Sequence, residues 1–500
     1  MKLWMHLLEI EITTKCNLNC KHCYNRENKN IDMPLDEIIY YLNFANKFNV
    51  KKIVISGGEA CIHKDFNKLC DYLLENRKKL NNVEKIVLQS NGLIGKIDLT
   101  KLKGFDMIHL SFDVDNNDAR LINSKKTLEL ANNIKKNGMN CYLFATIHNK
   151  NINYIDEIVK LANESNNQIA FNLCCDTGKN SEFLLTREQK ISTINKLLQY
   201  EKEGKINKLK HPYVNSLKGL SCEDYRIKGG CTAGIATCTI LANGDVIPCP
   251  FLRVKAGNIH VNKLEDIWLK SELFNSLRNR NKYDICGKCR FISYCGGCRK
   301  SAYESSKSIH GMDLNCIING DIKVRKATIS DINSIVKIKI NSWKETYKNI
   351  INDEFLDNMD YDENFKKFYN EIKNPDSIKQ NYVITKNDKV IGYTKFQLLE
   401  NNEYDSQICA IYIDNKYKGK GYGTILLNYV KNLLKNSNCT NMILWCIYRN
   451  YPSRKFYLKK GGKEGKKIKS KIGNQNIYEI SYIYELQEGG EIDGNLANGC

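Results

Sequence analysis

Cys16-Asn-Leu-Asn-Cys20-Lys-His-Cys23-Tyr24 places three thiols within eight residues, directly after an apolar stretch that reads as a strand. A loop this tight can present three sulfurs to one inorganic centre, and three thiolates can hold three irons of a [4Fe–4S] cube. The fourth iron then has no protein ligand and can bind a cofactor or substrate. Zinc is the competing occupant, but it usually takes four ligands, and His22 lies between two of the cysteines with little reach.

The rest of the chain supports a metal protein. It has 500 residues, 21 of them cysteines. The segment MKLWMHLLEIEITT is interrupted by Glu9 and Glu11 and has no small-residue cleavage site, so it does not read as a signal peptide. No apolar run reaches the roughly 18 residues of a membrane span. We therefore expect a cytoplasmic protein with no membrane contact, in which many cysteines point to metal sites rather than disulfides. The net charge of +20 comes from a Lys-rich composition without a run of five basic residues. It does not call for a nucleic-acid partner.

Strand-like runs at Leu7–Ile12, Lys52–Ser56, Lys85–Gln89, Met107–Phe112, Cys141–Ile147 and Gln168–Leu173 alternate with helix-like stretches such as Leu35–Phe48 and Phe66–Leu80. Six β–α units in series predict a parallel sheet, here a partial (β/α)6 barrel, with its chemistry at the C-terminal strand ends. Those ends carry Ser56-Gly57-Gly58-Glu59, Ser90-Asn91-Gly92 and Ser111-Phe112-Asp113. Phe183–Leu220 is polar, Lys-rich and expected to be helical. A second cysteine field follows: Cys231, Cys238 and Cys249, then Cys286, Cys289, Cys295 and Cys298, then Cys316. Eight thiols suffice for two fully ligated clusters, and on spacing alone they suit structural zinc equally well.

Together, the first cysteine triplet and the three strand-end motifs resemble the radical S-adenosylmethionine (SAM) superfamily. By that resemblance Cys16, Cys20 and Cys23 hold the SAM-binding cluster. Gly57, Gly58 and Glu59 meet the methionine amino group, the glycines allowing close approach and the carboxylate accepting from the ammonium. Asn91, Ser111 and Asp113 line the SAM site. The implied chemistry is one-electron cleavage of SAM to a 5′-deoxyadenosyl radical that abstracts hydrogen from the substrate. Cys231-Thr-Ala-Gly, Asn243-Gly-Asp-Val-Ile-Pro-Cys249-Pro-Phe251, Gly257-Asn-Ile259 and Cys295-Gly-Gly-Cys298-Arg299 resemble the SPASM extension, which binds auxiliary iron–sulfur clusters. By analogy Cys231, Cys238, Cys249 and Cys298 hold the inner cluster, and Cys286, Cys289, Cys295 and Cys316 the outer one.

Such enzymes mostly modify peptides. Sulfatase maturases usually carry Asp after the cysteine equivalent to Cys249, and here Pro250 stands there. The resemblance implies an electron donor such as flavodoxin or ferredoxin. A leader peptide would dock on the Phe183–Leu220 segment or on a separate leader-binding protein. The remaining cysteines read mainly as core residues. Cys174-Cys175 closes the sixth strand facing the expected active site, and Cys222 is a further candidate ligand.

A new α/β pattern begins at Ile322. A strand there precedes a helix at Ile329–Lys339, and strands at Tyr382–Thr385 and Val390–Gln397 flank a turn at Lys386-Asn387-Asp388. Ile408–Ile413 leads into Lys418-Gly419-Lys420-Gly421-Tyr422-Gly423-Thr424 and an apolar helix, Ile425–Leu434. A glycine-rich loop entering a helix offers backbone N–H groups to a pyrophosphate. With Asn450 and Phe456-Tyr457-Leu458-Lys459-Lys460-Gly461-Gly462, this region resembles the GNAT acetyltransferases. The resemblance implies acetyl-CoA on the loop, Asn450 on the pantetheine arm and Tyr457 as general acid to the departing thiolate. Glu345 is one of several carboxylates that could serve as base.

The expected domains are 1–182 (radical SAM core), 183–230 (helical bridge), 231–318 (SPASM), 322–486 (GNAT) and 487–500 (flexible tail). The expected function is radical modification of a peptide precursor, with acyl transfer to an amine by the same chain. The alternatives are cofactor chemistry on a tetrapyrrole or quinone, sulfatase maturation, and a zinc-bearing nucleic-acid-binding module with an attached acetyltransferase.

Overall fold

The computed structural model describes residues 4–25, 30–95, 97–114, 124–175, 180–207, 209, 230–289, 291–293, 295–306, 308–313, 316–317, 322–374, 378–400 and 403–486. Cys222, Cys500, the tail 487–500 and most of the expected bridge beyond 207 lie outside them. The chain divides into two compact units, Met1–Glu304 with Ser308–Ile318 and Asn319–Cys500 with Ser305–Lys307.

The first unit is built on a nine-stranded sheet. Its parallel part comprises β1 (Leu7–Glu11), β2 (Lys52–Ser56), β3 (Lys85–Ser90), β4 (Met107–Ser111), β5 (Cys141–Ile147) and β6 (Gln168–Leu173), adjacent in chain order. Leu8, Ile10, Ile53, Ile55, Ile86, Leu88, Leu110 and Leu143 are fully buried. Their short apolar runs suit strands covered on both faces. Helices Leu35–Lys47, Phe66–Asn76, Ser124–Lys136 and Ile155–Glu164 make the crossovers. The β3–β4 connection departs from the pattern, because a 3₁₀ segment, Leu99–Gly104, replaces the expected helix. A Cβ on Gly104 would stand 2.6 Å from Leu73 Cβ, so the short crossover lies directly on the helix below it.

The expected Lys-rich helix forms at Arg187–Lys202, closed at its start by a Thr186/Gln189 capping box. The cysteine-rich region then continues the sheet. Strand β7 (Thr237–Ile240) pairs in parallel with β1, and β8 (Asp245–Ile247) and β9 (Gly257–Asn258) follow antiparallel. The SPASM resemblance makes Cys238 a metal ligand; in the fold it is a strand residue opposite Leu8, fully buried in the apolar core.

The second unit contains a seven-stranded sheet in the order β10-β11-β12-β13-β14-β16-β15. Its strands are β10 (Ile322–Lys326), β11 (Lys379–Lys386), β12 (Lys389–Leu398), β13 (Ser406–Ile413), β14 (Asn441–Ile447), β15 (Lys463–Ile472) and β16 (Gln475–Glu485). Asn387 and Asp388 both take positive φ, 48° and 61°, which is the two-residue turn that closes β11 on β12. The first helix runs over Ile332–Thr346, past the expected end at Lys339, so Trp343 and Glu345 are helical. Only β13 and β14 pair in parallel, at Gln407–Ile443 and Ile408–Leu444, although the strands run on to Ile413 and Ile447. Beyond those two pairs the register ends, which leaves backbone donors and acceptors for an extended ligand.

Candidate active sites

The loop after β1 is clamped before it reaches its cysteines. Thr13 Oγ1 donates to Asp32 Oδ1 at 2.6 Å and Lys15 Nζ to Asp32 Oδ2 at 2.6 Å. The loop after β2 lies against it: Gly58 N–H donates to Thr13 O and Glu59 N–H to Lys15 O, both at 2.8 Å. A Cβ on Gly57 would stand 2.5 Å from Thr13 O, and one on Gly58 2.1 Å from Lys15 O. The glycines therefore serve first to let two loops touch, where the sequence reading had a ligand approaching them.

Glu59 is 1% exposed and joins this pair of loops to the third. Its Oε2 accepts from Asn91 N at 2.6 Å and its Oε1 from Cys61 N at 3.2 Å. Burial raises its pKa, and those two bonds oppose the rise. The Cys61 and Ser90 side chains hydrogen-bond to it as well, so four donors meet its roughly four lone-pair sites, and an ammonium would take the place of one of them. Asn91 Nδ2 donates to Asn17 Oδ1 at 2.8 Å and lies 3.9 Å from Cys16 Sγ.

These loops enclose a cleft of about 160 Å³. Cys16, Cys20, Cys23, Gly57, Gly58, Glu59, Asn91 and Ser111 all line it, with Asn172, Cys174 and Cys175 from the end of β6. Asp113 does not line it; its carboxylate accepts from Thr146 N at 3.4 Å, one strand away. The sulfurs already receive N–H donors, Leu18 N to Cys16 at 3.4 Å and Asn25 N to Cys23 at 3.3 Å, as cluster thiolates commonly do. The donor set and the flat loop contact fit a SAM-binding cluster.

The other cysteines form two groups. Cys231, Cys249 and Cys298 lie within one another's electrostatic reach, and Cys298 is in hydrogen-bond reach of Cys175. Burial drives the Cys231 and Cys249 thiols upward, and each neighbouring thiol adds to the rise. Burial pushes the Cys238 thiol up, Arg278 and the Thr239 N–H oppose it, and among the described residues no other thiol acts on it, so the structure does not bring it to the group expected for the inner cluster. Cys286, Cys295 and Cys316 lie together, with Cys289 one turn after Cys286. Arg299, 1% exposed, donates to Cys286 Sγ at 3.5 Å and stacks on Tyr283, placing a buried cation beside the thiols. Such a cation favours thiolates, and the set fits a cluster. Among the described residues no three His, Cys, Asp or Glu side chains converge on a point for a single ion. A cube spaces its ligands more widely than one zinc does.

In the second unit, Gly421 caps the helix Tyr422–Asn436 with φ 89°, and Gly419 has φ 72° with nothing within 4 Å of an added Cβ. Thr424 N–H bonds to Gly421 O at 3.0 Å, closing the first turn. Lys418 Nζ reaches the end of the helix Ile332–Thr346, donating to Thr346 Oγ1 at 3.0 Å, while Lys420 Nζ donates to Lys416 O of its own loop at 2.8 Å. Asn450 is buried and caps the helix Tyr451–Lys459 by accepting from Ser453 N. Tyr457 on that helix packs against Phe456 and Tyr482, each at 5.4 Å, and burial pushes its phenol well above 10. Trp343 Nε1 donates to Tyr412 Oη at 2.8 Å in the same neighbourhood. A cleft of about 960 Å³ is lined by Trp343, Glu354, Asp360, Glu363, Arg449 and Gln475. Glu345 is not among its lining residues and instead faces Lys418. The open loop and the diverging strands fit an acyl-CoA.

Sequence reasoning missed the Asp32 clamp and the role of Asn17, each of which acts through a partner distant in the chain. Arg299 was visible only as the last residue of a motif, without its contact to Cys286, whereas Cys174-Cys175 was legible as a thiol pair at a strand end.

Comparison with known proteins agrees with this geometry. Residues 10–162 match the radical SAM superfamily, 231–290 the iron–sulfur cluster-binding SPASM domain, and 342–462 the acetyltransferase (GNAT) family. The chain is 24% identical over 345 residues to an AdoMet-dependent heme synthase of Methanosarcina barkeri, covering 62% of this chain and 96% of that protein. It is 23% identical over 334 residues to the mycofactocin maturase MftC of Mycolicibacterium smegmatis, covering 61% and 81%. The fold resembles that of Streptococcus suis SuiB, solved with its precursor peptide SuiA, at a TM-score of 0.52 and 21% identity over 62% of this chain and 75% of that one. Among the described residues no helix is long and apolar enough to cross a membrane. The chain therefore carries a radical SAM domain, an iron–sulfur cluster-binding SPASM domain and a GNAT acetyltransferase domain, and it is an enzyme of the radical SAM class.

Proposed function

We propose that the first unit modifies a peptide by hydrogen abstraction and that the second transfers an acyl group from acyl-CoA to an amine. The observation that carries the first half is the cleft where Cys16, Cys20, Cys23, Gly57, Gly58, Glu59, Asn91 and Ser111 meet. When bound, a reduced cluster and SAM supply a 5′-deoxyadenosyl radical that takes a hydrogen atom from the substrate. The chain's own residues position that chemistry. Cys16, Cys20 and Cys23 hold the cluster, the Gly57–Glu59 turn and Asn91 orient the methionine end of SAM, and the buried strand ends keep water out. The two cysteine groups around Cys298 and Cys286 hold auxiliary clusters, three cubes in all. A cytoplasmic flavodoxin or ferredoxin supplies electrons. A leader peptide docks on the helix Arg187–Lys202 or on a separate protein.

Likeness to the mycofactocin maturase supports the peptide reading. A second reading, tetrapyrrole chemistry, is supported by the likeness to heme synthases, which spans nearly their whole length. In the second unit the amine enters the cleft beside Trp343, and Tyr457 protonates the departing thiolate. The domain limits we propose are those expected from the sequence.

The test is anaerobic reconstitution followed by single turnovers with candidate precursor peptides or an iron porphyrin, read by mass spectrometry. About twelve irons per chain and a mass change on a peptide support the proposal. Zinc in place of iron, or a change on the porphyrin alone, overturns it.

A further inference from the structure

We infer that Cys175 is the fourth protein ligand of the inner auxiliary cluster, in the place the sequence motif gives to Cys238. This rests on the reading that Cys231, Cys249 and Cys298 hold that cluster.

A cube closed by protein needs four sulfurs from one neighbourhood. Three are present: Cys249 feels Cys231 and Cys298, and Cys231 feels Cys298. Cys238 cannot join them. It lies in mid-strand, paired in register with Leu8 and fully buried among apolar side chains, and among the described residues no thiol is its electrostatic partner. Bringing it to the trio would break the β1–β7 ladder and leave its backbone groups unpaired.

Cys175 has the opposite situation. It stands where β6 ends at Leu173, is partly exposed, and its sulfur reaches Cys298. Asn180 Nδ2 donates to Cys175 O at 2.9 Å and to Cys174 Sγ at 3.4 Å, so this strand end is held in place and Cys174 is turned to a different partner. Cys298 is positioned in turn, its N–H donating to Asp313 Oδ2 at 2.9 Å. Ligation would exchange each S–H for an S–Fe bond and release the proton to solvent.

Cys175 also lines the SAM cleft. One ligand of the inner cluster would therefore be part of the wall around the substrate. A spacing motif cannot reveal this arrangement, because Cys175 lies more than fifty residues before the SPASM region.

The experiment is thiol footprinting of the full chain, before and after anaerobic loading with iron and sulfide, by alkylation and peptide mass spectrometry. Cys175, Cys231, Cys249 and Cys298 are expected to label in the metal-free chain and to be protected together on loading. Labelling of Cys175 in loaded chain that protects the other three overturns the inference. Labelling of all four in iron-loaded chain overturns the auxiliary-cluster reading beneath it. Because protection can also come from burial, the chain with Cys16, Cys20 and Cys23 replaced by Ala is then reduced and examined by electron paramagnetic resonance. Adding Cys175→Ala should change the spectrum of one of the two clusters, while Cys238→Ala and Cys174→Ala should leave it as it was. A spectrum moved by Cys238→Ala or by Cys222→Ala, and not by Cys175→Ala, assigns the ligand elsewhere. A change on Cys174→Ala equal to that on Cys175→Ala marks a local disturbance and sets the inference aside.

Discussion

Arg253 Nη2 donates to both carboxylate oxygens of Glu11, at 2.8 and 3.0 Å, and so ties the loop after Cys249 to the first strand of the sheet. The Glu11 side chain is 2% exposed and that of Arg253 19%. Removing one member of a buried pair leaves the other charge uncompensated, at a typical cost of about 3–5 kcal/mol. Arg253→Ala should lower unfolding free energy by about 3 kcal/mol in a urea titration. Arg253→Ala with Glu11→Gln should recover most of the loss. If the single variant is as stable as the parent, the pair does not hold the two regions together.

Glu9 lies two residues before Glu11 and accepts from Ser56 Oγ at 2.7 Å. Burial, with help from the Glu11 charge, raises its pKa to about 7. An acid raised in the folded state keeps its proton where the unfolded chain has lost it. Stability attributable to Glu9 is therefore fullest below its unfolded pKa of 4.5 and falls as pH rises towards about 7. Glu9→Gln removes this dependence. The variant should gain on the parent by roughly 3 kcal/mol between pH 4.5 and pH 7, read from melting curves across that range. A constant difference between the two would mean that Glu9 ionises normally.

Gly58 leaves no room for a side chain, since its Cβ would meet Lys15 backbone at 2.1 and 2.6 Å. Backbone against backbone has no flexible end to yield. Gly58→Ala should cost about 2–3 kcal/mol and push the first two loops apart. The expected readout is a loss of about four irons on reconstitution, with the auxiliary clusters retained. Full iron content in a stable variant would show that the loops can part without harm to the site.

The parallel strands were legible because each is a short apolar run bounded by polar residues, and their limits moved by one residue at most. The continuation of the sheet through β7, β8 and β9 was not, because strands of four, three and two residues show no periodicity. β15 was hidden for a different reason: Lys463–Ile472 is basic and almost wholly exposed, and only pairing with β16 makes it a strand. At the first site, the three cysteines, Gly57–Glu59, Asn91 and Ser111 line one cleft because loop and strand order are local properties, while Asp113 lies one strand away, bonded to Thr146 N. The ligand set that the SPASM resemblance implies for the second field includes Cys238, which the fold places in mid-sheet opposite Leu8, because proximity to Cys231 in the chain is not proximity of sulfurs in the fold.

The second unit has its own sheet and its own buried core, so residues 322–486 should fold alone and bind acetyl-CoA. Gly421, with φ 89°, is the sensitive position in its loop. Gly421→Val should weaken binding at least tenfold by calorimetry, since a β-branched residue strains that conformation and crowds the N–H groups. Gly423 differs: an added Cβ meets Phe456 at 3.6 Å, an ordinary contact, so Gly423→Ala should bind normally. Equal binding by Gly421→Val would remove the loop from the acyl-CoA site.

Tyr457 can be tested as general acid separately from its packing. Its ring is held between Phe456 and Tyr482 and its phenol lies near Tyr412 and Cys446. Burial keeps the phenol protonated throughout the neutral range, which is the form a proton donor needs. An acid of this kind leaves no alkaline limb on the rate profile until well above pH 10. Tyr457→Phe retains the ring, so acetyl-CoA affinity and melting temperature should hardly move while acyl transfer falls about 10²–10⁴-fold. Tyr457→Ala should instead lose about 3 kcal/mol of stability, because it leaves a cavity beside Tyr482. The amine for the assay comes from a screen of primary amines against the intact chain. Near-normal transfer by the Phe variant would leave Tyr457 as a packed aromatic, and protonation of the thiolate would then pass to Tyr412 or to solvent.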